Sequence, residues 1–263
     1  MNSNPLTIVG TLNTDLRGGE RLEYILDTLS PSKIILEYRN ESKELQKRDL
    51  QTRTDTLMIL LNLFNFDLSS KFKTIIDSYV DSLSENSSFD LFVSEKYIQK
   101  NSSSKLEFFD TTAQSDSNFD GSENFSSNRE LNLLLNFIRM DPRLIKKSLD
   151  LIEEKGAEVL DDFLDFAVTN AYKKFSSMVD FQKKHNDIEY KTLVSESISE
   201  DIKIRYKGVH SVFDNFAKHI KESYASNPNL VVISSLNTAA AMKARLGDLD
   251  SRVIPLLDYK QID

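Results

Sequence analysis

Short runs of aliphatic and β-branched residues near both ends of the chain predict the strands of an α/β protein. The runs are continuous rather than alternating, which is typical of parallel strands buried on both faces. Between the first two runs, apolar residues recur every three or four positions and predict a helix over 20–29, which completes a β-α-β unit. The predicted strands are 6–12, 33–38, 106–110, 230–235 and 252–255.

The long stretch between these strands is predicted to be mostly helical, because its apolar residues follow the helical period. Asp141 followed by Pro142 is typical of a helix start, and Gly156 is typical of a helix end. The predicted helices are 42–64, 68–83, 89–99, 130–140, 142–154, 158–184, 190–205, 209–225 and 238–246.

These elements predict an α/β fold whose small, mostly parallel sheet is built from both chain ends, with a large all-helical lobe inserted between them. The predicted α/β core comprises 1–112 and 226–263, and the predicted helical lobe comprises 129–225. Residues 113–128 are rich in Ser, Asn and Asp and are predicted to form a mobile loop.

The amino-acid composition of the chain excludes several classes of functional site. The chain of 263 residues has no cysteine, which excludes disulfides, zinc–thiolate sites and thiol catalysis and is compatible with the cytoplasm. A net charge of −8 without a basic stripe argues against binding nucleic acid. The strongest apolar run, 57–64, is too short to cross a membrane. His185, His210 and His219 lack metal-ligand spacing and are interpreted as exposed or internally paired helix residues.

A Leu-Asn-Thr motif follows a predicted strand near each end of the chain. Asn13 comes after the first strand, and Asn237 comes after the strand over 230–235. Ligands of open α/β sheets bind outside the carboxyl ends of such strands, so the two amides are expected to face each other across one site. In an alternative interpretation, each Asn only caps the helix that follows it.

Two carboxylates also lie where predicted strands end, Glu37 and Asp110. Arg39 follows Glu37 by two positions and is therefore expected on the same face. If the strands are parallel neighbours, these groups converge with Asn13 and Asn237 at one edge of the sheet. Such a set could bind a hard cation or an anionic substrate. The alternative is a purely structural Glu37–Arg39 network.

The chain resembles the TraB/Tiki group within the EreA/ChaN-like fold. Members of that group typically open with Gly-Thr-x-His, a helix and a Pro-Asp-hydrophobic run that ends in Glu. They continue with a strand that often ends in Asp and close with a hydrophobic strand and a second Gly-x-x-His. The matching positions, in the same order over most of the chain, are 8–13, Arg21, Ile25, 31–37, 108–110 and 234–237.

The resemblance implies a metal-centred hydrolytic site built from two His and one Glu; related branches bind haem or hydrolyse macrolide esters. Glu37 matches the family Glu, whereas Asn13 and Asn237 stand where both His would be. The exchange removes the strongest nitrogen ligands, so neither zinc nor haem is expected here.

Three functions remain open. The favoured one is a catalytically degenerate member that binds a ligand or a protein partner through Asn13, Arg39, Asp110 and Asn237. The second is a metal-dependent hydrolase, peptidase- or esterase-like, with Mn, Mg or Ca held by Glu37, Asn13 and Asn237 and with Asp110 beside them. In this hypothesis Glu37 is the catalytic residue, as metal ligand or general base, and the metal activates water. The third is a helical interaction protein without a pocket at the sheet edge.

These hypotheses allow three kinds of partner: a small molecule, a peptide or a second copy of the chain. Neither nucleic acid nor a membrane is expected as a partner. The expected location is cytoplasmic.

Overall fold

The computed structural model describes the residues 6–13, 15–38, 51–52, 54–55, 58–59, 61–62, 66, 68–86, 88–111, 141–187, 200–247, 249 and 251–262. Within these ranges, side chains are described except at 38, 84–86, 184–187, 200–210 and 261–262. The predicted loop over 113–128 and the predicted helix over 130–140 lie outside the described residues, as does most of the predicted helix over 42–64.

Among the described residues, five parallel strands form one sheet in the order β3-β2-β4-β1-β5. The predicted α/β class is confirmed, the sheet is built from both ends of the chain, and a helical region is inserted between β3 and β4. The predicted strand bounds agree with the structure to within one residue. The strands are β1 Leu6–Thr11, β2 Lys33–Tyr38, β3 Lys105–Asp110, β4 Leu230–Ser235 and β5 Ser251–Pro255.

Helices occupy most of the remaining described chain. The N-cap of α4 is confirmed, because the Asp141 carboxylate accepts the Arg143 backbone N–H at 2.9 Å and Pro142 opens the helix. The helices are α1 Gly18–Leu29, α2 Ser70–Asn86, α3 Phe89–Lys100, α4 Pro142–Lys155, α5 Ala157–Lys173, α6 Phe175–Asp187, α7 Glu200–Ser226 and α8 Leu236–Arg245, with a 3-10 helix over Leu256–Ile262.

Two predictions of where helices begin and end were wrong. The single helix predicted over 158–184 is divided at Lys174 into α5 and α6. Tyr172, at the end of α5, bonds to Asp15, and α6 packs along α8. The break predicted between 205 and 209 is absent, and α7 is continuous through Gly208. One glycine costs a helix only about 1 kcal/mol, which packing elsewhere along the helix can outweigh.

The chain divides into two compact units. The sheet unit comprises Met1–Asn40, Ser88–Ser117 and Val168–Asp263, and the helical unit comprises Glu41–Ser87 and Asn118–Ala167. This division differs from the predicted boundaries, because α6 and α7 belong with the sheet and α2 does not. The predicted boundaries did not take into account the apolar packing of α7 against the strands, which the next paragraph describes.

In the sheet unit, α7 packs against the strands through fully buried Phe216 and Ile220. The ring of Phe216 stacks on that of Phe109 in β3, with 4.3 Å between the centroids. On β1, a Cβ added to Gly10 would lie 3.0 Å from the Ala239 Cβ atom. Glycine therefore allows α8 to lie directly on β1, immediately beside the carboxyl edge of the sheet.

The helical unit has its own apolar cluster. Buried Leu61 and Phe72 contribute to it together with Ile152 and Val159, and flanking aliphatic residues surround them. The amphipathic faces of α2 and α4 thus bury each other, as their three- and four-residue spacing requires.

Candidate functional site

Glu37 ends the buried part of β2 and is held from three directions at the carboxyl edge of the sheet. Its Oε2 atom accepts the backbone N–H of Ser235 at 2.8 Å. Its Oε1 atom accepts the hydroxyl groups of Thr238 at 2.9 Å and of Thr111 at 3.4 Å. The positive end of the α8 dipole favours a carboxylate at this place. Glu37 therefore joins β2 to the start of α8.

The start of α8 is organised by Ser235 rather than by Asn237. The Ser235 hydroxyl accepts the backbone N–H of Thr238 at 3.3 Å and donates to the Thr238 hydroxyl at 2.9 Å. Because Thr238 in turn donates to Glu37, the three side chains form one chain of hydrogen bonds. Asn237 is exposed and does not cap the helix.

Asn13 is likewise exposed, in the turn between β1 and α1. The structure assigns the N-cap position of α1 to Arg17, without a side-chain capping bond. Because β1 and β4 are parallel neighbours, Asn13 and Asn237 both follow strands that end at the same edge. Neither Asn therefore caps the helix that follows it. The prediction that Asn13 and Asn237 face each other across one site stays a prediction.

Asp110 lies at the end of β3, half-buried, in register with Tyr38 on β2. Arg39 lies outside the described residues, so the proposed Glu37–Arg39 network stays a prediction. Glu37 and Asp110 thus end adjacent parallel strands at the carboxyl edge, as their sequence positions indicated.

Asp90, in the first turn of α3, is a third carboxylate in this region and was not among the residues predicted from the sequence. Its Oδ1 atom accepts the Leu91 backbone N–H at 2.9 Å. Burial raises the pKa of the Asp90 carboxyl to about 6; backbone N–H groups oppose this shift and the charge of Glu37 adds to it. An acidic residue at a helix start was the available signal, but nothing in the pattern linked Asp90 to Glu37.

A buried ion pair follows β1. Asp15 is only 3% exposed, and its Oδ2 atom lies 2.7 Å from Nη1 of Arg21. The Tyr172 hydroxyl at the end of α5 donates to the same oxygen at 3.1 Å. Burial raises the pKa of the Tyr172 hydroxyl well above its usual value, and the charge of Asp15 adds to that effect. Asp15 was not among the site residues predicted from the sequence.

Beyond Tyr172 an open cleft of about 480 Å³ lies between α6 and the carboxyl end of β5. We call it the β5 cleft. Phe175 and Val179 of α6 line one side and Ile254 and Pro255 of β5 line the other, all four buried. Charged residues also line this cleft: Lys173, Asp180, Lys243 and Asp258.

A second and more open cleft, of about 670 Å³, lies beside Asn237. We call it the α6 cleft. It is lined on α6 by Met178 and by Phe181, which is 57% exposed, and Lys174 lies at its margin. Asn237 therefore faces a space formed with α6.

His219 of α7 is paired within the sheet unit, as one of the two sequence interpretations expected. Its Nε2 atom lies 2.7 Å from Oε1 of Glu107, which also forms an ion pair with Lys33. Burial acts to raise the pKa of the Glu107 carboxyl, but the hydrogen bonds and charges of Lys33 and His219 outweigh it and lower the pKa. The side chains of His185 and His210 lie outside the described residues.

Within the described ranges, no three His, Asp or Glu side chains come together in a group that could hold a metal ion. No helix in the same part of the chain combines the length and the apolar character needed to span a membrane. No protein-family model, curated protein or solved structure matches the chain. The TraB/Tiki resemblance therefore stays a prediction from sequence.

Proposed function

We propose that the chain is a divergent, catalytically degenerate relative of the TraB/Tiki group that binds a ligand at the carboxyl edge of its sheet. The observation that carries this proposal is the environment of Glu37, the residue in the place of the family Glu. Its carboxylate is engaged by one backbone N–H and two hydroxyl groups.

A carboxylate that binds a metal or takes a proton needs accessible lone pairs. Two carboxylate oxygens offer about four acceptor sites, and three of those on Glu37 already accept hydrogen bonds. Asn13 and Asn237, in the places of both family His, bring amides instead of imidazoles. Together, these observations on Glu37, Asn13 and Asn237 support a structural role for Glu37 in a site that no longer catalyses hydrolysis.

The β5 cleft supports a ligand at the same edge. It lies beside the carboxyl end of β5, where open α/β sheets bind their ligands, and its volume of about 480 Å³ is within the usual range for small-molecule sites. We therefore propose that the ligand is a small molecule. We also propose that the protein is located in the cytoplasm.

The proposal is tested by the melting temperature of metal-stripped protein without a His-tag. The additions are Mn²⁺, Co²⁺, Mg²⁺, Ca²⁺ or Zn²⁺, and separately a panel of amino acids, sugars, nucleotides and organic acids. A ligand that binds only the folded state at a hundred times its Kd adds about 2.7 kcal/mol of stability. We expect an organic molecule to raise the melting temperature and no metal to do so.

Each metal is repeated on Glu37→Gln and on the double variant Asn13→Ala with Asn237→Ala. Because Glu37→Gln is expected to lower stability by itself, the quantity compared is the increase in melting temperature caused by the metal. A metal-specific increase in the natural chain that both variants lose would overturn the degenerate assignment.

A second candidate, a metal-dependent hydrolase, is favoured by one observation. Asp90 has its pKa raised to about 6 beside the charge of Glu37, and two carboxylates in unlike environments are typical of acid–base pairs. A screen with ester and peptide substrates in Mn²⁺, Mg²⁺ or Ca²⁺ tests it. Turnover that Asp90→Asn abolishes and Glu23→Gln leaves intact would support this candidate, and absence of turnover in all three metals would exclude it.

A further inference from the structure

We infer that the β5 cleft binds a zwitterionic small molecule with an apolar body, of the amino-acid type. The inference rests on the proposed function, since it names the chemical class of a ligand at the carboxyl edge. Three observations carry it: buried apolar residues in the lining, charged residues of both signs beside them, and the volume of the cleft.

The buried residues in the lining of the cleft are apolar, and charged and polar residues complete the lining. Phe175 and Val179 face the cleft from α6, and Ile254 faces it from β5; each is less than 9% exposed. Buried Tyr172 also lines the cleft, and its hydroxyl donates to Asp15. The inner surface therefore suits an aromatic or branched aliphatic group, which gains free energy by leaving water.

Two positive and two negative side chains line the cleft. Lys173 of α5 and Asp180 of α6 are exposed, whereas Lys243 of α8 and Asp258 of the 3-10 helix are half-buried. The Lys243 ammonium donates to the Ser251 carbonyl at 3.1 Å, which fixes its position and leaves two of its three N–H donors.

A ligand of one charge sign would place a like charge against part of this lining, which is a penalty that proteins use to exclude ligands. A molecule with one ammonium and one carboxylate can approach an Asp and a Lys together. The volume of the cleft, about 480 Å³, is within the usual range for sites that bind small molecules. An aromatic amino acid or a somewhat larger derivative enters such a space.

Three probes that share one aromatic body separate the role of each charge: L-phenylalanine, 2-phenylethylamine and 3-phenylpropanoate. Binding is measured by calorimetry on the full chain, with melting temperature as a second readout. We expect L-phenylalanine to bind at least tenfold more tightly than the amine or the acid, because each of these lacks one charge.

Variants locate the binding. Lys173→Gln and Asp258→Asn are each expected to weaken L-phenylalanine binding at least fivefold, with the melting temperature of the free protein unchanged. Lys174→Gln is the matched control, since Lys174 is the next residue but lines the α6 cleft. Equal weakening by Lys173→Gln and Lys174→Gln would overturn the assignment to the β5 cleft.

The outcomes distinguish this inference from the function on which it rests. If the three probes bind equally, or if only panel molecules of another class bind, the zwitterion class is wrong and ligand binding stands. If neither the probes nor any panel molecule binds, both proposals fail. Selective binding of L-phenylalanine that Lys173→Gln or Asp258→Asn weakens supports both.

Discussion

Thr238 donates its hydroxyl hydrogen to Glu37 across 201 positions of the sequence, with 2.9 Å between the two oxygens. The bond joins the end of β2 to the first turn of α8. In a hydrolase of the resembled group, a Glu at this place would face a metal. In this chain the Glu37 oxygens accept hydrogen bonds from the protein itself. We therefore expect substitution of Glu37 to lower the stability of the fold.

Glu37→Gln is expected to lower the free energy of unfolding by about 1–3 kcal/mol, because an amide nitrogen cannot accept the Ser235 N–H or the threonine hydroxyls. Urea unfolding at pH 7 measures the change. Glu23→Gln is the matched control: Glu23 forms surface ion pairs with Lys96 and Lys100, which are worth about 0–1 kcal/mol. Equal losses in the two variants would contradict a structural role for Glu37.

Asp15→Asn is expected to destabilise the chain by about 3–5 kcal/mol, because it leaves the buried Arg21 guanidinium without its counter-charge. Tyr172→Phe removes only a neutral donor to the same carboxylate and is expected to cost about 1 kcal/mol. The control is Asp214→Asn: its ion pair with Arg245 is also short at 2.8 Å, but the Asp214 carboxylate is 67% exposed, whereas that of Asp15 is buried. A loss at Asp15 no larger than that at Asp214 would refute the role assigned to burial.

Asp90 predicts a pH dependence of known sign. Its folded-state pKa, about 6, lies above the ordinary value of 3.8, so the folded state holds the Asp90 proton more tightly than the unfolded state. The stabilisation from the protonated carboxyl is complete below about pH 4 and is lost as the pH rises through 6. One pKa unit is worth about 1.4 kcal/mol, so the loss by pH 7 is roughly 1–3 kcal/mol.

Asp90→Asn tests this effect, because an amide oxygen can still accept the Leu91 N–H but the residue cannot ionise. We expect the variant to match the natural chain near pH 4 and to be the more stable protein at pH 7, by urea unfolding at both values. An identical stability difference at the two pH values would show that ionisation of Asp90 is not responsible.

Gly18→Ala is expected to cost about 1–3 kcal/mol through overpacking, because an added Cβ would lie 2.3 Å from the Phe89 ring. Gly19→Ala is the neighbouring control, since its Cβ would meet its nearest described atoms at an ordinary 3.8 Å. Urea midpoints of the two variants give the comparison. If Gly18→Ala were as stable as Gly19→Ala, the close approach of α1 to Phe89 would be disproved.

The strands could be predicted because each is a run of apolar residues that neighbouring strands and helices cover. From parallel strands it followed that Glu37 and Asp110 end at one edge. Helix ends were harder to predict, since no Gly or Pro stands near Lys174, where α5 ends and α6 follows. Local patterns also could not divide the helices between the two units.

The side chains that now shape the site were missed for a related reason. Asp15 and Asp90 are ordinary turn and helix-start residues in local sequence. Their partners, Tyr172 at 157 positions from Asp15 and the charge of Glu37 near Asp90, are set by tertiary structure. Conversely, the Leu-Asn-Thr motifs were conspicuous in the sequence, yet Asn13 and Asn237 are exposed.

The position of β1 between β4 and β5 has a consequence for synthesis on the ribosome. β2 and β3 can pair once residues up to 110 have emerged, but both described sheet partners of β1 lie beyond residue 229. The bond from the Thr11 hydroxyl to the Ser234 carbonyl, 223 positions later, closes the same junction. An apolar β1 therefore stays without its described sheet partners until the ribosome has synthesised the chain beyond residue 229, a period in which unpaired strands are prone to aggregate.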